Sequence, residues 1–264
     1  MKISVIVPYR NAAPWLVRCL NSLTDNEGDF EFIFVNDRSE DAGPSIVRQY
    51  AAIDERIVVL DNERGPGVSG ARNTGLDAFK GDWATFLDAD DKYIDNAFYT
   101  LKKAINADRL AAVIQLNHLR HYSKINKTVM KYTNESGVYK VDELPNIWFG
   151  VWNKLFRADF VKDIRFDERL QYGEDGLFVL ECLSKGAYIY HAEKQSVVVV
   201  HCFENENSLS KVKTADDLLK QIHVYEEYLL NQERPEMRVA FCKELSRLWG
   251  TETFARCFGG NFER

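Results

Sequence analysis

The sequence predicts an α/β fold in which a mostly parallel β-sheet is flanked by helices. Two observations carry this prediction. Apolar, β-branched runs of strand length alternate with segments of helical periodicity, and several of these runs end in polar residues. Such alternation implies right-handed crossovers, which place the strands parallel to one another. The chain has 264 residues, 45% of them hydrophobic, which is enough to bury a core of this kind.

The first strand and helix show the pattern most clearly. Residues 2–8 (KISVIVP) are predicted to form a strand buried on both faces, because the apolar run does not alternate with polar residues. The next helix is expected to have Asn11 as its cap and Pro14 in its first turn, where a missing N–H costs nothing. Leu16 and Leu20 belong to the apolar positions that recur at helical spacing.

The remaining elements follow the same rhythm up to about residue 108. In chain order, the predicted elements are a strand at 30–37, a helix through 46–50, a strand at 56–62, a helix around 68–79, a strand at 83–89, and short strands at 111–117 and 127–133. After residue 108 short strands mix with polar turns, and from residue 212 the pattern is helical. We therefore expect one compact domain with a helical C-terminal appendage.

Composition argues against several classes of function. Forty acidic against 34 basic side chains give a net charge of −6, so no molecule-wide basic field is present to attract nucleic acid. The five cysteines are scattered without a C-x-x-C pair, which indicates neither a disulfide framework nor a structural zinc site. No apolar run reaches the roughly 20 residues of a membrane-spanning helix. We expect a cytoplasmic protein that does not bind nucleic acid.

Residues 65–70 (GPGVSG) satisfy the G-x-G-x-x-G pattern between a predicted strand and a predicted helix. One interpretation is therefore the dinucleotide site of an NAD-type oxidoreductase. Against it, the fingerprint normally follows the first strand of its unit, and it needs one carboxylate where Asp88, Asp90 and Asp91 supply three. The alternatives are a loop whose N–H groups approach a phosphate or sugar, and a plain turn.

Carboxylates follow several predicted strands at the point where each strand ends. Asp37 and Asp61 follow two strands, and Asp88, Asp90 and Asp91 follow a third. Ligands of open α/β sheets bind outside the carboxyl ends of the strands, so these side chains are expected on one rim. Carboxylates there repel each other unless a cation joins them, and Mg²⁺ or Mn²⁺ takes one or two carboxylates together with water and substrate phosphate. The alternative is a solvated acidic turn.

Four runs resemble, in order and spacing, the nucleotide-binding half of family 2 glycosyltransferases of the GT-A fold: SVIVPYRN, FVNDRSEDAG, SGARNTGL and GDWATFLDADD. VWNKLFR, YGEDGLF and ENSLS are similar to that family's acceptor-side and closing segments. The resemblance implies a GT-A catalytic domain at 1–211, with a nucleotide-sugar-binding half at 1–108 and an acceptor half at 109–211, followed by a helical segment at 212–264. Arg38 stands where the family usually has glycine.

The resemblance also implies an activity and a set of site residues. It implies an inverting enzyme that moves a sugar from a nucleoside diphosphate sugar, expected to be a UDP-sugar, to a carbohydrate or lipid-linked saccharide acceptor in surface polysaccharide biosynthesis. The implied donor-site residues are Pro8, Tyr9 and Asp37 at the nucleobase and ribose, Arg72 and Asp88 near the donor, Asp91 at the transferred sugar, and Asp90 at Mn²⁺ or Mg²⁺.

A general base is expected at Glu174 and Asp175, just ahead of an apolar run that is typical of a helix. The N-terminus of a helix favours ionised carboxylates, so these groups are expected to be deprotonated at neutral pH. Adjacent helical residues point roughly 100° apart. We therefore assign Asp175 as the base and Glu174 as the residue that orients the acceptor or the loop; the alternative is that both only complement the helix dipole.

Three further features have two interpretations each. His201 ends the run VVVVH and either completes the metal shell or is a histidine satisfied within the protein. Trp148 and Trp152 form a platform for a sugar ring or belong to the core. The amphipathic segment 235–264 packs on the catalytic domain or contacts a membrane or a partner from the cytoplasmic side. A non-catalytic nucleotide-binding protein is the third alternative for the whole chain.

Overall fold

The structure is a computed structural model. It describes residues 1–131, 135–140, 150–185, 188–202 and 215–231. Three predictions fall outside the described residues: the role of Trp148, the ENSLS motif at 206–210, and the amphipathic segment at 235–264.

The described elements alternate between strand and helix in the first half of the chain. In order they are β1 (Ile3–Tyr9), α1 (Ala13–Thr24), β2 (Phe30–Asn36), α2 (Gly43–Ala51), β3 (Ile57–Asp61), α3 (Val68–Ala78), β4 (Trp83–Phe86), β5 (Lys92–Tyr93), α4 (Ala97–Ala107), β6 (Val113–Gln115), β7 (Asn117–Tyr122), β8 (Lys127–Lys131), β9 (Gly137–Tyr139), β10 (Lys154–Arg157), α5 (Ala158–Val161), α6 (Glu174–Ser184), β11 (Ile189–His191), β12 (Val197–Cys202) and α7 (Ala215–Asn231).

Two sheets organise the described strands. The larger sheet has the order β3-β2-β1-β4-β10-β6-β11-β9, and the smaller has the order β5-β12-β7-β8. The four strands β3, β2, β1 and β4 are parallel, as predicted, whereas β10 runs antiparallel to both of its neighbours. The prediction of a mostly parallel sheet is therefore confirmed for the first half, and the irregular second half builds the mixed part.

Strand β1 lies in the middle of the core, and every one of its residues is buried. Its side chains alternate between the two faces. Val5 and Val7 pack in the cluster that contains the apolar face of α1, and Ile6 packs in the cluster that contains Leu76 of α3. Burying one aliphatic side chain of this size contributes about 1.5–3 kcal/mol. Burial on both faces explains why the run has no alternating polar residues.

The start of α1 differs from the prediction. Ala12, not Asn11, is the N-cap residue. Asn11 has a positive φ of 48°, and its side-chain oxygen accepts the N–H of Glu40 at 2.8 Å. The Ala13 N–H is instead accepted by Asp41 at 2.8 Å, and the other carboxylate oxygen of Asp41 accepts the Gly43 N–H at 2.9 Å. One aspartate thus joins the starts of α1 and α2, which local sequence does not reveal.

Helix α7 packs against the core that α6 builds. Val224, Tyr225 and Leu229 of α7 belong to the same buried cluster as Leu177 and Phe178 of α6. The predicted helical pattern after residue 212 is confirmed for this helix. Among the helices that the structure describes, none combines the length and apolarity required to cross a bilayer.

Candidate active site

The candidate site lies where the carboxyl end of β4, helix α3 and the N-terminus of α6 meet. Arg72 of α3 joins three carboxylates from two distant parts of the chain. Its Nη1 donates to Glu174 Oε1 at 2.9 Å and to Asp175 Oδ1 at 2.6 Å, and its Nη2 donates to Asp88 Oδ1 at 3.2 Å. The structure therefore brings three predicted site carboxylates together around the guanidinium of a fourth predicted site residue.

Close packing of α3 onto the sheet places Arg72 in this position. A Cβ atom on Gly75 would lie 2.4 Å from Cγ2 of Ile6, so the helix approaches β1 more closely than any other residue allows. The Arg72 side chain is only 4% exposed, and its guanidinium carbon lies 5.2 Å from the centre of the Phe166 ring. A buried arginine of this kind requires partners of opposite charge.

The charges of this cluster shift one another's proton affinities. Burial acts to lower the pKa of Arg72, but Asp175, Asp88 and Glu174 outweigh it and raise that pKa, so the guanidinium stays charged. Burial and the neighbouring Asp175 raise the pKa of Glu174 to about 8, against the opposing effect of Arg72. Burial also raises the pKa of Asp175, again opposed by Arg72. Burial therefore opposes the helix N-terminus, on which the expectation of ionised carboxylates at Glu174 and Asp175 rests.

Asp91, which is predicted at the transferred sugar, bonds within the protein in this structure. Its side chain is fully buried, and its two oxygens are used within the protein. Oδ1 accepts the N–H of Cys202 at 2.7 Å, and Oδ2 lies 2.7 Å from Nδ1 of His201. Burial raises the pKa of Asp91 to about 7, although the bond to His201 opposes the shift. In this arrangement Asp91 attaches the loop after β4 to β12, and its contact with the transferred sugar stays a prediction.

His201 and Trp152 lie beside that attachment. Their rings stack with centroids 4.9 Å apart and an interplanar angle of 10°. Trp152 is 6% exposed, so the structure places it in the core rather than on an open platform. The Nδ1 atom of His201 is engaged by Asp91. The histidine is therefore next to the carboxylate loop, and its role as a metal ligand stays a prediction.

Asp88 and Asp90 are the carboxylates of this loop that stay partly exposed. The backbone oxygen of Asp90 accepts Nη2 of Arg18 from α1 at 2.6 Å, which fixes the loop from a second side. Within the described part of the chain, no group of three or more His, Cys, Asp or Glu side chains is arranged to hold a metal ion. Two accessible carboxylates suit a hard cation that completes its shell with water and phosphate oxygens, not an all-protein cage.

Pro8 and Tyr9 form the end of β1 and are buried there. The Tyr9 ring packs edge-on against Phe34 with centroids 6.4 Å apart, and burial raises the pKa of Tyr9 to about 12. Its hydroxyl oxygen is buried without a hydrogen-bond partner among the described residues. An unsatisfied buried hydroxyl at the end of the central strand is a polar group that a ligand at the rim can pair. The contact of both residues with a nucleobase stays a prediction.

Asp37 holds the glycine-rich loop. Its Oδ2 accepts the N–H of Gly67 at 2.9 Å, and its Oδ1 accepts the side-chain amide of Asn62 at 2.7 Å. Glu168 accepts the N–H of Gly65 at 3.1 Å. Two N–H groups that a dinucleotide fingerprint would turn towards a pyrophosphate are therefore directed at protein carboxylates. This arrangement favours the interpretation of GPGVSG as a structural turn over its interpretation as a dinucleotide site.

Arg38 has a φ of 57°, in the left-handed region that favours glycine. Its guanidinium donates to Oδ1 of Asp37 at 3.0 Å and to the backbone oxygen of Arg64 at 2.8 Å. The arginine thus adopts a backbone conformation that glycine takes up readily, and it adds a cation beside Asp37. These bonds fix Asp37 and the glycine-rich loop relative to each other.

Asn73 and Glu168, which the motifs above do not single out as site residues, support the site from behind. Asn73 donates to the backbone oxygen of Phe166 at 2.9 Å and to Glu168 at 3.0 Å, and it accepts the Phe166 N–H at 2.8 Å. Both side chains connect α3 to the segment that precedes α6. Asn73 is adjacent to Arg72 in the run SGARN, so the motif itself was the available signal.

Comparisons with known proteins agree with this architecture. A family model described as "Glycosyl transferase family 2" matches residues 4–158. The uncharacterized glycosyltransferase EpsJ of Bacillus subtilis (strain 168) is 30% identical over 231 residues, which cover 80% of this chain and 63% of that protein. The succinoglycan biosynthesis protein ExoO of Rhizobium meliloti (strain 1021) is 30% identical over 221 residues, covering 74% of this chain and 62% of that protein.

Among solved structures, residues 1–349 of S. aureus TarS in complex with UDP-GlcNAc align with a TM-score of 0.78 at 21% identity. The alignment covers 98% of this chain and 75% of that one. This likeness confirms the predicted α/β fold of the GT-A type. The chain spans less than two thirds of the length of the two curated relatives above.

Proposed function

The chain belongs to glycosyl transferase family 2, and from that premise we propose that it is an inverting glycosyltransferase that uses a nucleoside diphosphate sugar, a UDP-sugar. One observation carries the proposal. Arg72 connects Asp88, on the loop at the carboxyl end of the parallel sheet, to Glu174 and Asp175 at the start of α6. A donor-side carboxylate and a candidate base are thereby held on one buried cation.

Asp90, together with Asp88, would hold Mn²⁺ or Mg²⁺. Both carboxylates are partly exposed at the end of β4, and the loop that carries them is anchored by Asp91 and Arg18. When bound, the cation supplies stabilisation of the negative charge on the departing diphosphate. His201 lies behind the loop through its contact with Asp91 and is a further candidate ligand.

Asp175 takes the proton of the acceptor hydroxyl in this proposal. Burial raises the pKa of Glu174 to about 8 and also raises the pKa of Asp175, and Arg72 opposes both shifts. A carboxylate whose pKa is raised is a stronger base than a carboxylate in water. The second oxygen of Asp175 accepts the N–H of Val151 at 3.3 Å, which orients the group. Glu174 positions the turn and the acceptor.

The two substrates bind to different halves of the catalytic domain in this proposal. Residues 1–108 bind the nucleotide sugar, with Pro8, Tyr9 and Asp37 at its nucleoside, and residues 109–211 bind the acceptor. A UDP-sugar donor is supported by the fold likeness to TarS, whose structure contains UDP-GlcNAc. The proposed acceptor is a carbohydrate or a lipid-linked saccharide. A place in polysaccharide biosynthesis is supported by the name of the succinoglycan relative. The proposed setting is the cytoplasm, with the segment 235–264 as the part that reaches the membrane.

A thermal-shift titration tests the proposal. UDP, UDP-glucose, UDP-GlcNAc, GDP-mannose and NAD are each added with Mn²⁺ and with EDTA, because a ligand that binds only the folded state raises its stability. A UDP compound should stabilise the protein with Mn²⁺ and lose most of this effect in EDTA. Asp90→Asn should lose the metal-dependent part. The matched control Asp61→Asn, at the end of β3 and separated from β4 by two strands, should keep it. Stabilisation by NAD alone, independent of metal, would overturn the proposal.

The non-catalytic alternative predicts the same binding without turnover. UDP release from the best donor, followed over time with Mn²⁺, separates the two. Release that requires active protein supports the transferase, whereas binding with no release in the presence of saccharide acceptors supports a nucleotide-binding protein.

A further inference from the structure

The turn that begins α6 is held from outside by α7. Gly173 is the N-cap residue of α6 and has a φ of 81°, and it directly precedes Glu174 and Asp175. Its carbonyl oxygen accepts the N–H of Leu177 at 3.3 Å, and it accepts the hydroxyl of Tyr225 from α7 at 2.7 Å. The hydrogen bond from the distant helix is therefore the shorter of the two.

The turn and α7 fit together without space for a side chain. A Cβ atom on Gly173 would lie 1.9 Å from Nε2 of Gln221, which is fully buried on α7. The positive φ independently disfavours any other residue at this position. The path of the chain into Glu174 is thus determined by contact with two side chains of α7, Gln221 and Tyr225.

Helix α7 is itself attached at two further points. Arg169, on the segment before α6, donates to Glu227 at 2.7 Å, and the hydroxyl of Tyr228 donates to Glu181 of α6 at 3.1 Å. The side chain of Tyr225 is fully buried in the cluster that also contains Leu177. Because α7 is fixed to the segments on both sides of the Gly173 turn, the hydroxyl of Tyr225 can hold that turn in place.

We propose that α7 completes the catalytic centre and that Tyr225 is a positioning residue, which acts through Gly173 on Glu174 and Asp175. The inference rests on the proposed function, and it extends that function beyond the residues that the family model matches. Glu174 and Asp175 meet a single nitrogen of Arg72, so their placement tolerates little movement. A displacement of about 1 Å in a reacting group can lower a rate by about 10²-fold.

Tyr225→Phe tests the inference, because it removes one hydroxyl and keeps the ring that fills the core. Tyr228→Phe is the matched control: it removes a hydroxyl one turn along the same helix, where the partner is Glu181 and not the Gly173 turn. Three quantities are measured for the full chain: kcat and donor KM, the thermal unfolding midpoint, and hydrogen–deuterium exchange of the peptide that spans residues 170–178.

We expect Tyr225→Phe to lower kcat about tenfold or more, with donor KM and UDP affinity within twofold of wild type. Exchange in the 170–178 peptide should rise about tenfold. Tyr228→Phe should keep kcat within about twofold at a comparable change in unfolding midpoint. A kcat that falls equally in both variants, or that follows the midpoint alone, would overturn the inference in favour of a purely structural role.

Failure of the proposed function is distinguishable from failure of this inference. If the wild-type protein transfers no sugar and releases no UDP, the proposed function fails. Hydrogen–deuterium exchange of the 170–178 peptide then decides alone whether α7 positions the turn. Faster exchange at 170–178 in Tyr225→Phe but not in Tyr228→Phe supports the positioning of the turn by α7. Equal exchange in both variants overturns it.

Discussion

Nη1 of Arg72 lies 2.6 Å from Oδ1 of Asp175, and the two residues are separated by 103 positions in the chain. The same nitrogen also donates to Oε1 of Glu174, and the neighbouring Nη2 donates to Oδ1 of Asp88. A cation shared in this way joins the end of the parallel sheet to the start of α6. The pairing makes Arg72 the centre of the site, although the sequence indicated only that it lies near the donor.

Arg72→Met should therefore destabilise the protein strongly. The variant keeps the side-chain length but leaves three carboxylates without their cation, and removing one partner of a buried ion pair costs about 3–5 kcal/mol. Without Arg72 the folded-state pKa values of Glu174 and Asp175, which burial already raises, rise further above their unfolded values. The stability that a raised folded-state pKa contributes is present at low pH and is lost as pH rises. The loss in free energy of unfolding of Arg72→Met relative to wild type should therefore grow from pH 5 to pH 8. Urea unfolding at both pH values measures it. A deficit that does not change with pH would contradict the assigned pairing.

Asp175→Asn should lower kcat by about 10²–10⁴-fold, which is the usual contribution of a general base. Glu174→Gln is the matched control, since it is the same kind of amide substitution on the adjacent residue. Its effect on kcat should be less than about tenfold, because glutamine resembles the protonated form that burial favours. UDP affinity with Mn²⁺ should stay within threefold in both. Turnover by Asp175→Asn above one tenth of wild type would remove this residue from the role of base.

Glu174 also predicts a pH dependence of stability. Its pKa is raised in the folded state to about 8, so the folded protein binds more protons at this site than the unfolded chain between about pH 4.5 and 8. The contribution of this group is fully present below the unfolded pKa and is lost as pH rises through about 8. The free energy of unfolding should consequently fall more steeply with pH in the wild type than in Glu174→Gln. Parallel curves between pH 5 and 8 would contradict the assignment.

Gly70→Ala should disrupt the glycine-rich loop. A Cβ atom there would lie 2.0 Å from the backbone oxygen of Gly65, and backbone cannot move aside cheaply. Overpacking of this kind typically costs about 1–3 kcal/mol or more. Gly65→Ala is the control in the same loop, since its Cβ meets the flexible end of Glu168 at 2.8 Å. Chemical denaturation should show the larger loss for Gly70→Ala. Equal losses would mean that the close approach of the loop to α3 is not what requires Gly70.

The first half of the fold was predictable from local pattern. Runs such as that of β1 are apolar on both faces because the strand is covered on both sides, and the ends of parallel strands meet at one rim. These two rules place Asp88 and Asp90 at the end of β4. The same rule predicts Asp91 at the rim, but it does not predict what the side chain bonds. The carboxylate of Asp91 turns back to β12 because a backbone N–H and an imidazole are available there.

What the sequence could not predict are contacts between distant segments. The acceptor for the first N–H of α1 is Asp41, which lies 28 positions from Ala13. The pKa of Glu174 depends on burial and on Asp175, and only the packed structure shows that these outweigh the helix end. The attachment of Tyr225 to Gly173 joins residues 52 positions apart. Periodicity and motifs carry no information on such pairs, because each depends on how finished elements pack.

The most direct test of the central claim is proton NMR of the sugar that the wild-type protein releases from UDP-GlcNAc, or from the UDP-sugar that stabilises it best, with Mn²⁺ and with water as the acceptor. In-line displacement with Asp175 as the base predicts that the anomer of opposite configuration to the donor appears first, and that Asp175→Asn releases it at least about 10²-fold more slowly. Initial release of the anomer with the donor's configuration, or equal rates in wild type and Asp175→Asn, would contradict the account.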